Sequence, residues 1–244
     1  MSAGLDAGAL VEVFISPPAA ERYAAELAAI TDAGVPVRHA DEQALASLSE
    51  TVTPQGIVAV ARTPEATPAD LAQPRLVAVL CEVQDPGNAG TVIRTADAAG
   101  ADAVVLTAGS VDVWNGKCVR ASAGSIFHLP IVTGLPRDGL ISTLRALGCR
   151  VLATSGGAQR TLDHVLATGE LTEPTAWIFG NEAHGLPAKV LAAADLQVRV
   201  PIIGRAESLN LAGAATVCLY ASAWAAATAQ PGQAPKSVRG EEGR

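Results

Sequence analysis

The 244-residue sequence predicts an α/β protein: a small α/β unit, then a larger domain whose mostly parallel sheet carries helices on both faces. Three observations predict it. Short apolar runs alternate with small-residue stretches of helical length through the second part of the chain, the pattern of repeated strand–helix units. A segment rich in Pro, Ala and Thr, residues 62–74, reads as a linker between a unit at 1–61 and a domain at 75–228. Hydrophobic residues make up 49% of the chain, enough for a well-packed core, although aromatics are only 3%.

In the first unit, residues 11–15 form an apolar run of strand length, and 19–33 have the spacing of an amphipathic helix. Residues 35–38 read as a short strand and 42–48 as a second helix. A strand at 57–61 is entered through the turn residues Pro54-Gln55-Gly56. In the larger domain, strands are predicted at 76–82, 103–106, 128–133, 150–153, 176–179 and 197–200. Helices are predicted between them at 89–99, 119–125, 140–147, 187–193 and 209–227. The tail, 229–244, is rich in Pro, Gly and charge and is expected to be disordered.

No apolar stretch is expected to reach the ~18–20 residues that span a bilayer. The alanine-rich run at 209–227 comes nearest, but Asn210, Thr216 and Ser222 suit a buried helix better. The N-terminus shows no basic-then-apolar signal segment, so the expectation is a cytoplasmic protein with no membrane partner. Cys81, Cys118, Cys149 and Cys218 lie more than 30 residues apart with no clustered histidines, which argues for buried free thiols and against zinc or disulfides. No metal is expected.

The net charge of −7 argues at first against a nucleic-acid partner. Its distribution softens that argument. Residues 1–73 hold 3 basic and 10 acidic side chains, whereas 74–228 hold 11 and 12. The nearly neutral second domain can still present a local basic face. It is no general polyanion binder, and any affinity for a nucleic acid would need shape or a second subunit.

Three stretches carry the chemistry. They are Asn88-Ala89-Gly90-Thr91-Val92-Ile93-Arg94, Phe179-Gly180-Asn181-Glu182-Ala183-His184-Gly185-Leu186, and Glu207-Ser208-Leu209-Asn210-Leu211-Ala212-Gly213-Ala214-Ala215. Each lies where a predicted strand gives way to a predicted helix, a turn that leaves backbone N–H groups free above the sheet edge. Asn88 has the chemistry of a helix cap, and so do Ser208 and Asn210, which also suit polar contacts in a site. Glu182 follows a glycine turn and could orient Arg94 or contact RNA. His184 is a loop histidine and reads as incidental. No GxGxxG follows the first strand of the domain and no Walker A sequence occurs, so an open Rossmann dehydrogenase or a phosphate-loop enzyme is not indicated.

In this order and spacing the three stretches closely resemble the motifs of the SpoU family, within the SPOUT superfamily, of RNA ribose 2′-O-methyltransferases. The resemblance covers residues 76–226. It implies a C-terminal trefoil knot, which periodicity alone could never suggest, and a homodimer formed through the knot region. It implies S-adenosylmethionine as cofactor, gripped mainly by backbone groups at Thr154, Ser155, Gly180, Val200, Ile202 and Leu209. It implies catalytic roles for Arg94, Asn88, Glu182, Ser208 and Asn210. The family assigns the matching arginine a role in catalysis, sometimes as base. Arginine stays protonated in proteins, so binding of the adjacent phosphate is the preferred role for Arg94. Asn115, Lys117 and Arg120 resemble an RNA-phosphate contact surface.

The small unit, through Thr53-Pro54-Gln55-Gly56-Ile57, resembles the substrate-binding domain of ribosomal-RNA members. Those members begin with an extra strand and helix around a Val-Glu-Gly motif, absent here before Met1-Ser2-Ala3-Gly4, so the expectation is a truncated sequence or an incomplete RNA module. Ribosomal RNA is the expected substrate. Transfer RNA, a catalytically silent RNA-binding factor on the same fold, and a small-molecule nucleotide-binding enzyme are the alternatives.

Overall fold

A computed structural model describes residues 1–229 apart from Glu50, Val52 and Thr53. The tail beyond Ala229 and Thr53 of the Thr-Pro-Gln-Gly-Ile segment therefore lie outside the described residues. The small unit opens with a short helix, α1 (Ser2–Asp6), that the sequence did not suggest. Strand β1 (Leu10–Ile15) is the centre of a three-stranded sheet, parallel to β2 (Val37–His39) and antiparallel to β3 (Ile57–Ala61). The expected helix at 19–33 is two helices, α2 (Pro17–Arg22) and α3 (Ala24–Asp32), broken at Tyr23. Helix α4 (Glu42–Leu48) is capped by Asp41, whose carboxylate accepts the Ala44 N–H at 2.7 Å. Gly56 has φ +78°, and a Cβ there would also meet Ser16 Oγ at 2.7 Å, so the turn into β3 admits only glycine.

The chain between the units is not a free linker. Ala66 bridges to Val132, Leu71 is buried, and the Asp70 carboxylate accepts the Thr67 N–H at 2.8 Å.

The second sheet has seven strands: β4 (Leu76–Leu80), β5 (Ala103–Thr107), β6 (Ile131–Leu135), β7 (Arg150–Thr154), β8 (Arg160–Thr161), β9 (Thr175–Phe179) and β10 (Leu196–Arg199). Their order is β6-β5-β4-β9-β7-β10-β8, and every pairing is parallel. Alternation along each strand divides two cores. Leu76, Ala78, Leu80, Trp177 and Phe179 face α5 (Pro86–Ala98), α8 (Leu162–Ala167) and α10 (Leu211–Ala229). Val77, Val79, Cys81, Ala176 and Ile178 face α7 (Leu140–Ala146) and α9 (Ala188–Ala193). Such strands, buried on both faces, explain why they read as continuous apolar runs.

Several boundaries differ from expectation for local reasons. Helix α5 starts earlier because Asp85, not Asn88, is its N-cap: the Asp85 carboxylate accepts the Asn88 N–H at 2.8 Å, and Pro86 occupies the first turn. Helix α6 (Gly116–Ala121) starts at the Asn115 cap and stops at Ala123 and Gly124, which take φ of +49° and +97°. Strand β8 and helix α8 were not anticipated. Their region is tied by Glu170, which accepts from Arg150 at 2.9 Å and Thr168 at 2.8 Å and pairs with Arg160. Arg150 above all, with Thr168, holds the Glu170 carboxyl down at about 2.

Contrary to expectation, α10 is long and apolar enough to cross a membrane by length and composition, with 19 residues. Its packing is that of a core helix. Leu211, Ala215, Cys218, Leu219 and Ala225 are buried in the sheet's core, and Ser222 Oγ accepts the Trp177 indole N–H at 2.9 Å. All four cysteines are free and buried, and burial pushes Cys118 up to about 12 and Cys149 to about 11. Thiols so placed are poor nucleophiles.

Candidate active site

The C-terminal ends of β4, β9, β7 and β10 meet at one edge of the sheet, next to the point where the strand order turns back on itself. Open parallel sheets place their ligand crevices at such a point. A cleft of about 950 Å³ lies there. It is lined by Asn88, Glu182, Ser208 and Asn210 among the expected catalytic residues, and by Thr154, Ser155, Gly180, Val200, Ile202 and Leu209, the whole expected cofactor set. Segments more than 90 residues apart in sequence are brought within contact there.

The polar connections are specific. Asn88 sits in the first turn of α5, with its backbone N–H taken by Asp85, so its side chain is free to donate from Nδ2 to Glu182 Oε1 at 3.1 Å. Glu182 Oε2 faces the Gln84 N–H at 3.5 Å. Glu182 therefore meets Asn88 rather than Arg94, which corrects one expected role for this carboxylate. Asn210 does cap its helix: its Oδ1 accepts the Gly213 N–H at 2.8 Å. Thr154 Oγ1 donates to the Ile178 carbonyl at 3.0 Å, tying β7 to β9 at the cleft floor.

Gly180 is required for a reason the sequence did not show. Its φ is not positive, so conformational freedom is not the issue. A Cβ there would lie 2.4 Å from the Gly185 carbonyl carbon and 2.5 Å from Leu186 N, because the turn folds back over it. The neighbour is the protein's own backbone rather than a ligand.

Among the described residues, 201–209 take part in no hydrogen bond. This loop thus presents free backbone donors and acceptors beside the apolar side chains of Val200, Ile202 and Leu209. The loop is largely exposed, so these groups are available to a ligand with polar edges.

Arg94 does not line the cleft. It lies on the solvent stripe of α5 with Thr91 and Ala98, opposite the buried Val92, Ile93 and Ala96, and forms no ion pair among the described residues. Asn115, Lys117 and Arg120 also lie outside the cleft, on and before α6, which packs against α5. Asn115 Oδ1 accepts the Lys117 N–H at 2.9 Å, and Lys117 Nζ donates to Asp85 Oδ2 at 2.8 Å. Lys117 and the Asn88 amide hold the Asp85 carboxyl below the usual carboxylate range. Lys117 thus already has a partner at the α5 N-terminus, and Asn115 is engaged in capping α6; all three residues are exposed.

Sequence reasoning missed Asp85 as the cap, and it gave Asn181 no role although it stands beside Glu182. The Asp-Pro pair was the available signal for a helix start at residue 85. Arg199, which also lines the cleft, stood in the last predicted strand and carried no motif.

Both units of the chain match known protein families. The profile of the SpoU rRNA methylase family matches residues 75–220, and that of RNA 2′-O ribose methyltransferase substrate binding matches residues 3–67. A relative in Bacillus subtilis, named 23S rRNA (guanosine(2553)-2′-O)-methyltransferase RlmP, is 42% identical over 78% of this chain and 73% of its own length. An AdoMet-bound rRNA methyltransferase from Sinorhizobium meliloti superposes with a TM-score of 0.76 at 30% identity, over 91% of this chain and 84% of that one. The SpoU methyltransferase AviRb from Streptomyces viridochromogenes, in complex with AdoMet, gives 0.78 at 26% identity, over 91% and 86%. With its three turns converging on one cleft and its profile match across most of the larger sheet, the chain belongs to the SpoU rRNA methylase family.

Proposed function

We propose that this chain methylates a ribose 2′-hydroxyl of ribosomal RNA, and that the reaction takes place at the cleft above β4, β9, β7 and β10. The observation that carries the reading is the convergence of three strand-to-helix turns on one cleft beside a loop of unpaired backbone. The chain is an S-adenosylmethionine-dependent RNA 2′-O-methyltransferase, as its family and its relatives' names support.

The cleft residues fit the cofactor. Val200, Ile202 and Leu209 would wall an adenine, and the free backbone groups of 201–209, with Thr154, Ser155 and Gly180, would take its polar edges. When bound, the cofactor supplies an electrophilic sulfonium methyl. The remaining work falls to the protein. Asn88 and Glu182 form one hydrogen-bonded unit at the cleft mouth that would orient the ribose hydroxyl. Ser208 and Asn210 would fix the far wall. Arg94, outside the cleft and facing solvent, would bind an RNA phosphate rather than meet the sulfonium, which it would repel. A cation at the neighbouring phosphate favours the deprotonated hydroxyl.

The same proposal includes a homodimer, with Asn115, Lys117 and Arg120 as an RNA-facing surface completed by the second subunit. Exposed apolar side chains support it: Ile203 is 98% exposed, Trp224 61% and Val217 42%. It also includes a knotted C-terminal segment, a division into units at 1–61 and 75–228, and action in the cytoplasm. Light scattering at micromolar concentration is expected to return twice the chain mass; a value near 24.7 kDa would remove the dimer.

Calorimetry is expected to show about one S-adenosylmethionine per chain with a Kd of ~1 μM, about 8 kcal/mol of binding. Mass spectrometry of nucleosides is expected to show one ribose methylation in ribosomal RNA that disappears with the gene. Loss of a methyl group from transfer RNA instead would reassign the substrate, and no cofactor binding would remove the enzyme reading.

A further inference from the structure

We propose that Asn181 is a positioning residue whose carboxamide straps the turn after β9 to the end of β4, and so fixes where the Glu182 carboxylate meets Asn88. The inference rests on the reading of the cleft as the methyl-transfer site.

The bonds leave one orientation for the amide. Asn181 Oδ1 accepts the Ala183 N–H at 2.8 Å and the His184 N–H at 3.3 Å, while Nδ2 donates to the Glu82 carbonyl at 2.8 Å. Two N–H groups on one side and a carbonyl on the other admit only this assignment. The Gly185 N–H closes the turn again onto the Asn181 carbonyl at 2.8 Å. One side chain thus shapes the turn with its oxygen and ties it to another strand with its nitrogen.

The anchor is itself held. Glu82 has φ +56°, uncommon for a residue with a side chain. Thr107 Oγ1 accepts its N–H at 3.0 Å, and Arg137 pairs with its carboxylate at 2.6 Å. The last backbone rung between the strands is Cys81 N–H to the Phe179 carbonyl at 2.8 Å. Asn181 to Glu82 is the next crossing, made by a side chain where the ladder has ended. Beyond it the chains diverge, one to Asp85 and α5 with Asn88, the other to Glu182.

Positioning is needed because residues 182–185 are exposed and have few other anchors. Loops with little burial open at low free-energy cost. Without the strap, the carboxylate and the amide of Asn88 would keep their chemistry and lose their register.

Two variants separate the two halves of the carboxamide. Asn181→Ala removes both. Asn181→Asp retains oxygens for the Ala183 and His184 N–H groups but has no donor for the Glu82 carbonyl. Both are expected to lower kcat by at least about tenfold, toward the ~10²-fold that a displacement near 1 Å can cause. The KM for RNA and the cofactor Kd should stay at wild-type values. Hydrogen exchange across residues 182–185 is expected to rise in both variants, more in Asn181→Ala. Wild-type kcat and exchange in Asn181→Asp would overturn the strap, because the turn alone would then suffice. A loss of cofactor affinity matching the loss of kcat would also overturn it, by placing Asn181 in the cofactor site. An inactive wild-type protein would instead refute the methyl-transfer reading, and the exchange measurement would still decide whether the strap holds the turn.

Discussion

Arg94→Ala is expected to reduce methyl transfer by about 10²–10³-fold while leaving S-adenosylmethionine binding unchanged. The split follows from position. Arg94 lies on the exposed stripe of α5 and outside the cleft, so its removal takes no wall or donor from the cofactor site. On the role proposed for Arg94, the change removes a cation beside an RNA phosphate and a developing alkoxide, a loss worth about 2.7–4 kcal/mol in comparable sites. Arg94→Lys should recover part of the rate, because an ammonium carries the charge without the planar fork. Single-turnover kinetics beside calorimetry reads both quantities. Wild-type transfer by Arg94→Ala would refute the assignment. Loss of cofactor binding would move the residue into the cofactor site and leave Glu182 as the next to test.

Gly180→Ala sets two effects against each other. Replacing glycine stiffens the unfolded chain and typically stabilises by about 0.4–1 kcal/mol where the backbone conformation permits it. Here the added methyl would sit 2.4 Å from one backbone atom and 2.5 Å from another, both in the turn that crosses over Gly180. Overpacking typically costs ~1–3 kcal/mol and occasionally more, and backbone on the far side yields less readily than a side-chain tip. The clash wins. The turn and Gly180 must be forced apart, which shifts the backbone of Gly180, itself part of the expected cofactor wall. We expect a lower melting temperature and a cofactor affinity at least about tenfold weaker, one factor of ten being about 1.4 kcal/mol. A variant that binds cofactor normally and melts at the wild-type temperature would show that the turn has room to shift.

The alternation of strands and helices was readable because the central strands β4, β5 and β9 of the larger sheet are buried on both faces and the long helices α5 and α10 pack against them. Burial of that kind writes apolar runs such as Leu76–Leu80 and Thr175–Phe179 directly into the chain. Strand β8 was not readable: it has two residues, Arg160 and Thr161, and is held by pairing with β10 rather than by an apolar run. The break at Tyr23 was missed because the alanines on either side continue the helical spacing.

The cleft divides in the same way. Asn88, Gly180, Glu182, Ser208 and Asn210 could be named from the sequence because polar and glycine residues at strand-to-helix turns stand out against apolar surroundings. Which of them touch could not be named. The pairing of Asn88 with Glu182 spans 94 positions and exists only because β4 and β9 are neighbours in the sheet. The capping of α5 by Asp85, the salt bridge that occupies Lys117, and the second bond of Asn181 are likewise set by neighbours from other segments. Local pattern determined the elements and the residue types at their ends, since propensity and burial act on adjacent residues. Strand order decided their partners, because hydrogen bonds of about 3 Å are made only between groups that the completed sheet has already brought side by side.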